Sequence, residues 1–127
     1  MSAMSSALRT ALRSALTTAI RSRDRVAASA LRSGLAALDN AGAVPTTEDV
    51  PLDGDSPIAG AAVGLGATEA ARRELTATDE HALVRAEVSE RREAAAEVEA
   101  AGRPDRAADL HHEADVLESV LVEAGGA

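Results

Sequence analysis

The sequence contains no cysteine and no phenylalanine, tyrosine or tryptophan. Without cysteine, disulfide bonds, thiolate chemistry and the usual cysteine-based zinc sites are excluded. Without aromatic residues, the interior must be built from leucine, valine, isoleucine and a large excess of alanine. Alanine also has the highest helix propensity, so this composition predicts an all-α protein with closely packed helices and a shallow core.

Long hydrophobic runs are also missing, since no apolar stretch approaches the roughly 18 residues that span a bilayer. We therefore expect no membrane partner and a cytoplasmic location. The first 23 residues share the arginine-, serine- and alanine-rich bias of transit peptides, but an ordinary first helix explains that bias equally well.

The formal net charge of −8 argues against a dedicated nucleic-acid binder, because phosphate contacts need a positive surface. The charge is unevenly distributed, however. Residues 1–38 contain six arginines and one aspartate, whereas residues 69–127 contain seven arginines and fifteen acids. A local basic face in the N-terminal half therefore stays open.

Two helices are predicted in the N-terminal half, one over 5–22 and one over 24–41. The first has an apolar repeat of four residues: Met4, Leu8, Leu12, Leu16 and Ile20. Asp24 or Ser22 is expected to cap the second helix, and Gly42 to take the left-handed position after its end. We expect residues 1–41 to form a helix pair.

Residues 42–75 contain three of the four prolines and most of the glycines, which predicts a long flexible loop. Gly60, Gly64 and Gly66 superficially resemble a phosphate-binding loop, but no preceding strand and no Lys-Ser/Thr pair accompany them. We interpret this segment as a hinge or an interaction loop, and expect no nucleotide cofactor.

A helical hairpin is predicted over 76–123. Thr76 and Asp79 resemble a capping box at the start of its first helix. Gly102 ends that helix near residue 101, and Pro104 fits the first position of the next helix, which is expected to run to about Glu123.

Both hairpin helices carry seams with alternating steps of three and four residues, typical of coiled coils. The seams consist of Val84, Val88, Arg91, Ala95 and Val98, and of Ala107, Leu110, Ala114, Leu117 and Leu121. Folding about Gly102 places Arg91 opposite Ala114, where Glu113 is the nearest partner for its charge. We predict an Arg91–Glu113 ion pair that fixes the register. Two alternatives stay open: the Arg91 side chain extends past apolar neighbours to water, or it contacts a ligand or an RNA.

The arginines of the N-terminal half are the candidate anion-binding residues. They are Arg9, Arg13, Arg21, Arg23, Arg25 and Arg32. Because the chain has no aromatic side chains on which bases could stack, any nucleic-acid contact has to go through backbone and shape. Ordinary solvated charges, or pairing with the acidic C-terminal half, are the alternative interpretation.

No constellation of catalytic or metal-binding residues stands out. The adjacent His111 and His112 point about 100° apart on a helix, and His81 is not at a spacing that shares a face with them, so no metal site is predicted. The many carboxylates of the hairpin, as at Glu87 and Glu113, lack a shielded pocket, and most are expected on a solvated face supported by pairs such as Glu87 with Arg91. We expect neither a cofactor nor an enzyme.

Several motifs resemble the GatB/YqeY family. They are Arg23-Asp24, Leu31-Arg32 and Leu38-Asp39-Asn40 around the second helix, and Arg91-Arg92, Ala101-Gly102-Arg103-Pro104-Asp105, Glu113-Ala114 and Leu117-Glu118 in residues 84–121. Within them, the hairpin-turn motif comprises Gly102, Arg103 and Asp105. At Val120-Leu121-Val122 the family has Tyr-Leu-Pro and continues into another small helical subdomain, which we expect to be missing here.

The resemblance implies a single all-helical domain like the tail domain of the GatB subunit of a bacterial glutamine-dependent aminoacyl-tRNA amidotransferase. In that family the domain is associated with tRNA recognition, and the amidation chemistry lies elsewhere, although stand-alone members inherit a carbon–nitrogen ligase label. We therefore expect a non-catalytic module that binds tRNA or an amidotransferase-type protein partner. The alternative is a protein-interaction module that self-associates weakly through alanine-rich faces.

Overall fold

The computed structural model describes residues 6–43 and 74–125, which form four α-helices. The helices are α1 (Ala7–Arg21), α2 (Arg25–Gly42), α3 (Ala77–Ala100) and α4 (Pro104–Glu123). Within these two ranges there is no β-strand, and the predicted all-α fold is confirmed. None of the four helices is long and apolar enough to cross a membrane.

The chain divides into two units. Helices α1, α3 and α4, together with α2 as far as Leu38, belong to the unit formed by Met1–Leu38 and Thr76–Ala127. Asp39–Leu75 form the second unit, of which only residues 39–43 and 74–75 are described. Most of the predicted loop at 42–75, including its glycine-rich stretch, and Met4 of the first apolar repeat lie outside the described residues.

Side-chain caps begin three of the four described helices, whereas α4 begins with Pro104 and has no side-chain cap. The Ser6 side chain accepts a hydrogen bond from the amide of Arg9 at the start of α1. Asp24, and not Ser22, caps α2, because its Oδ1 accepts a 3.0 Å bond from the amide of Ala27. The predicted capping box of α3 is complete, with reciprocal bonds between Thr76 and Asp79. These bonds satisfy amides that have no partner within the helix.

The turn between α1 and α2 and the turn between α3 and α4 are of the same kind. In each, the residue after the helix cap has a left-handed backbone. After α3 this residue is Gly102, with a φ of 83°, and the amide of Arg103 donates to the carbonyl of Val98. After α1 it is Arg23, with a φ of 61°, and the amide of Asp24 donates to the carbonyl of Ala19. Both are Schellman motifs, but the first turn uses a side-chain-bearing residue where glycine is preferred.

Gly42 does not take the predicted left-handed position. It is the last residue of α2, and the described glycines with positive φ are Gly102 and Gly125. Helix α2 therefore runs one residue further than the sequence predicts, because a glycine can also continue the right-handed helix.

The main core is aliphatic and lies where α1, α2 and the α3–α4 hairpin meet. Its largest fully buried side chains are Leu8, Leu12, Leu31, Leu38, Val84 and Leu117. Gly34 permits the close approach of α2 to Leu12 of α1 and Leu117 of α4. A Cβ at this position would lie 3.3 Å from Leu117 Cδ2 and 3.5 Å from Leu12 Cδ2. A smaller cluster of Ala95, Ala107 and Leu110 fills the end of the hairpin near its turn.

Ile20 departs from the apolar face that the four-residue repeat predicts, since it is 53% exposed. Steps of four residues advance 400° around a helix with about 100° per residue, so the stripe drifts by about 40° at each step. After three steps from Leu8, Ile20 has rotated about 120° away from the core, and Ala19 is buried in its place. This drift presents an isoleucine to solvent beside the turn that joins α1 and α2.

Candidate functional site

A groove at the turn between α1 and α2 brings together three of the six candidate arginines. It has a volume of about 560 Å³. Its lining consists of Ala19, Ile20, Arg23, Asp24, Arg25, Ala28 and Arg32. We call it the arginine groove.

Helix geometry places these cations in a row. Arg25, Ala28 and Arg32 are spaced by three and four residues, so they share one face of α2. Arg25 and Arg32 are about 10 Å apart along the helix axis, at 1.5 Å per residue. Arg23 joins them from the turn, where its left-handed backbone reverses the chain. The amino end of α2, with the positive end of its dipole, lies at the same place.

Asp24 is the one acid in this lining, and its charge is already engaged. Its Oδ1 accepts the hydrogen bond from the amide of Ala27, and its Oδ2 lies 2.8 Å from Nε2 of His112 on α4. The bond from Ala27, followed by the bond from His112, holds the pKa of Asp24 below its usual value of 3.8. Asp24 therefore stays ionised near neutral pH, and it joins the turn to α4.

The other three candidate arginines do not line the groove. Nε of Arg9 lies 3.6 Å from Oε2 of Glu80, a buried acid at the start of α3. Arg9 therefore contributes to packing of α1 against α3, which is the pairing with the acidic half that the sequence left open. Arg13 and Arg21 are exposed on α1.

The predicted Arg91–Glu113 ion pair is present, and it belongs to a larger network. Nε of Arg91 donates to Oε1 of Glu113 at 2.8 Å, and Nη1 donates to Oε1 of Glu87, also at 2.8 Å. Oε1 of Glu87 also accepts a 2.9 Å bond from the hydroxyl of Ser33 on α2. The network thus connects three helices, and Arg91 does not extend past its neighbours to water.

Burial shapes the energetics of this network. The side chains of Arg91, Glu87 and Glu113 are only 14%, 18% and 10% exposed. Burial lowers the pKa of Arg91, but the hydrogen bonds to Glu113 and Glu87 outweigh it and the net shift is upward. The hairpin seam and α2 cover these two acids, so they do not lie on a solvated face, but the expected pair of Glu87 with Arg91 is present.

A second charged cluster lies on the hairpin surface around Arg92. Its Nη2 donates to Oδ1 of Asp115 and to Oε1 of Glu118, both at 2.8 Å, and its Nη1 lies 3.2 Å from Nδ1 of His111. The bond to Asp115 is the main cause of an upward shift in the pKa of Arg92. These side chains are more exposed than those around Arg91, so this cluster supports the hairpin surface, and the Arg92 guanidinium is already paired.

The two neighbouring histidines of α4 contact different parts of the structure. His111 and His112 face different partners, Arg92 and Asp24, as their separation around the helix implies. Among residues 6–43 and 74–125, no three histidine or acidic side chains are grouped so that they could hold a metal ion.

Arg103 and Asp105 are exposed beside Gly102, and Asp105 lies in the first turn of α4, where an acid is favourable for the helix dipole.

Sequence reasoning missed Ile20 as part of the site, the left-handed Arg23, and the partners Ser33 and His112. The angular drift of the apolar repeat was the available signal for Ile20. No local signal marks Ser33 or His112, since their partners are 54 and 88 residues away in the chain.

Comparisons of the chain with models of known protein families, with curated proteins and with solved structures give no match.

Proposed function

We propose that the protein is a non-catalytic helical module of the GatB/YqeY type that binds the phosphate backbone of an RNA in the arginine groove. The observation that carries this proposal is the convergence of Arg23, Arg25 and Arg32 on one groove at the amino end of α2. The resemblance of the sequence to the family points to tRNA as the RNA class.

The layout of the groove favours a polyanion over a small anion. Arg25 and Arg32, about 10 Å apart along α2, can each contact a different phosphate of a continuous backbone. Guanidinium groups bind phosphate oxygens through two parallel hydrogen bonds, which adds geometric selectivity to the charge attraction. The exposed alkyl side chain of Ile20 supplies an apolar surface in the same groove for a ribose or the edge of a base.

The overall charge of −8 sets the expected strength and salt dependence of binding. The acidic hairpin repels RNA at long range, and this repulsion is screened beyond a distance of about 10 Å at 0.1 M salt. We therefore propose a weak interaction, through a small number of phosphate contacts, with little sequence preference.

Filter binding of tRNA over a salt series tests this proposal. Each phosphate contact contributes a slope of about −0.7 to −0.9 to the logarithm of the binding constant against the logarithm of salt concentration. Three arginine contacts thus predict a slope of about −2 to −3. The variant Arg25→Gln/Arg32→Gln is expected to lose most of the binding and about two units of that slope.

The hairpin offers a matched control. Arg103 and Arg106 are also exposed arginines near the start of a helix, and Arg103→Gln/Arg106→Gln changes the net charge by the same amount. This control is expected to bind tRNA nearly as the unaltered protein does. Absence of tRNA binding at 25 mM salt, or equal weakening by the two double variants, would contradict the proposal.

A protein-binding role is the second candidate, supported by two large exposed hydrophobic residues. Ile20 is 53% exposed and Val122 is 62% exposed. In this proposal the module binds an amidotransferase-type partner or a second copy of itself through these side chains. Light scattering over a concentration series tests self-association. A mass that rises with concentration and falls back in Ile20→Ser supports it, and a constant monomer mass argues against it.

A further inference from the structure

His112 does not line the arginine groove, yet it touches the acid that does. Its Nε2 lies 2.8 Å from Oδ2 of Asp24, and the two side chains are 46% and 34% exposed. Asp24 lies between Arg23 and Arg25 in the chain, and all three side chains line the groove. A change of charge on His112 therefore changes the electrostatic potential of the groove through Asp24.

We propose that protonation of His112 raises the affinity of the arginine groove for phosphate groups, by compensating the negative charge of Asp24. This inference rests on the proposed function of the groove. With neutral His112, three arginines and one carboxylate face the bound anion. With protonated His112, the carboxylate is paired with a cation, and the potential in the groove is more positive.

The charge of Asp24 stays constant over the pH range that matters for this proposal. Its lowered pKa keeps Asp24 charged throughout the range in which histidine side chains titrate, about pH 5 to 8. Asp24 therefore adds no change of charge of its own over this range. Protonation also strengthens the contact between α4 and the turn, because a neutral hydrogen bond becomes an ion pair.

Two acids close to His112 in α4 already have cationic partners. On α4, Glu113 is bound to Arg91 of α3, and Asp115 is bound to Arg92 of α3. Asp109 lies three residues before His112 on the same helix, and the α1–α2 turn contributes Asp24, with Arg23 and Arg25 beside it. Asp24 is the partner in hydrogen-bond contact, so its charge dominates the response.

The expected effect is modest because the pair is partly exposed. One added charge several ångströms from a bound phosphate, in solvent and at low salt, predicts about a two- to fivefold gain in affinity. We expect tRNA to bind about two- to fivefold more tightly at pH 6 than at pH 8 at constant low ionic strength.

Three variants identify the source of this pH dependence. His112→Gln is expected to bind with the pH 8 affinity at both pH values. His111→Gln is the matched control, since the neighbouring histidine contacts Arg92 and not Asp24, and it is expected to keep the pH dependence. Asp24→Asn keeps a capping side chain but removes the charge, and at pH 8 it is expected to bind as tightly as the unaltered protein at pH 6.

The outcomes separate this inference from the function on which it rests. Binding that is the same at pH 6 and pH 8, or a pH dependence that persists in His112→Gln, overturns the inference and leaves the groove as the binding site. No tRNA binding at any pH at 25 mM salt removes the proposed function, and the inference with it. Circular dichroism of each variant at both pH values verifies that the helices are intact.

Discussion

Replacing Arg91 with methionine removes the one cation from the network that connects α2, α3 and α4. Methionine keeps most of the aliphatic volume of the arginine stem, so the change is mainly one of charge and hydrogen bonding. Two carboxylates then remain close together, because Oε1 of Glu87 and Oε1 of Glu113 each lie 2.8 Å from the Arg91 guanidinium.

The burial of these side chains sets the expected loss of stability. Removing one partner of a buried ion pair costs about 3–5 kcal/mol, whereas exposed pairs contribute about 1 kcal/mol or less. With side chains that are 10–18% exposed, we expect Arg91→Met to reduce the free energy of unfolding by about 3 kcal/mol. That is a large part of the roughly 5–15 kcal/mol that stabilises a small domain.

Urea unfolding followed by far-ultraviolet circular dichroism is the appropriate assay, because the chain has no tryptophan or tyrosine for fluorescence. An unchanged dependence of the unfolding free energy on urea concentration shows that the loss is one of stability rather than of cooperativity. The double variant Arg91→Met/Glu113→Leu is expected to recover much of the loss, since it no longer leaves the buried Glu113 charge unpaired.

The exposed cluster supplies the control. The Arg92 side chain is 35% exposed, and its partners Asp115 and Glu118 are 66% and 57% exposed, so Arg92→Met is expected to cost about 1 kcal/mol or less. If Arg91→Met costs no more than Arg92→Met, the Arg91 charges are not desolvated, and the explanation of the hairpin register by this ion pair is refuted.

Two further predictions concern the turn between α1 and α2. Arg23→Gly is expected to raise the free energy of unfolding by about 1 kcal/mol, because Arg23 has a left-handed backbone and glycine carries no steric penalty there. A loss of stability in urea unfolding would instead show that the arginine side chain stabilises the turn. Asp24→Ala is expected to cost about 1 kcal/mol at pH 7, and Asp24→Asn much less, because asparagine also caps helices. The bonds from Ala27 and His112 lower the pKa of Asp24, so its charge stabilises the fold well above pH 3.8 and loses this effect as the pH falls through the lower folded-state value. The difference in the free energy of unfolding between the unaltered protein and Asp24→Ala is therefore expected to shrink below pH 3.8. A difference that stays constant would show that the charge of Asp24 does not stabilise the fold.

The sequence by itself determined the helices and the hairpin, because the signals for both are local. The first helix, predicted over 5–22, is Ala7–Arg21, and the capping box at Thr76 and the Gly102 turn lie where the residue types require them. The seam of the hairpin also predicted Arg91–Glu113, since a short turn fixes which residues of two antiparallel helices meet.

Only the tertiary structure decided which polar groups meet between distant elements. Ser33 joins Glu87, and His112 joins Asp24, across 54 and 88 residues, and these contacts depend on how α2 and the turn pack on the hairpin. The same packing divided the six candidate arginines, placing Arg9 against Glu80 and gathering Arg23, Arg25 and Arg32 in one groove. Hydrophobic periodicity gives the face that a helix buries, but rotation and crossing angle, which follow from close packing of side chains, select the partners.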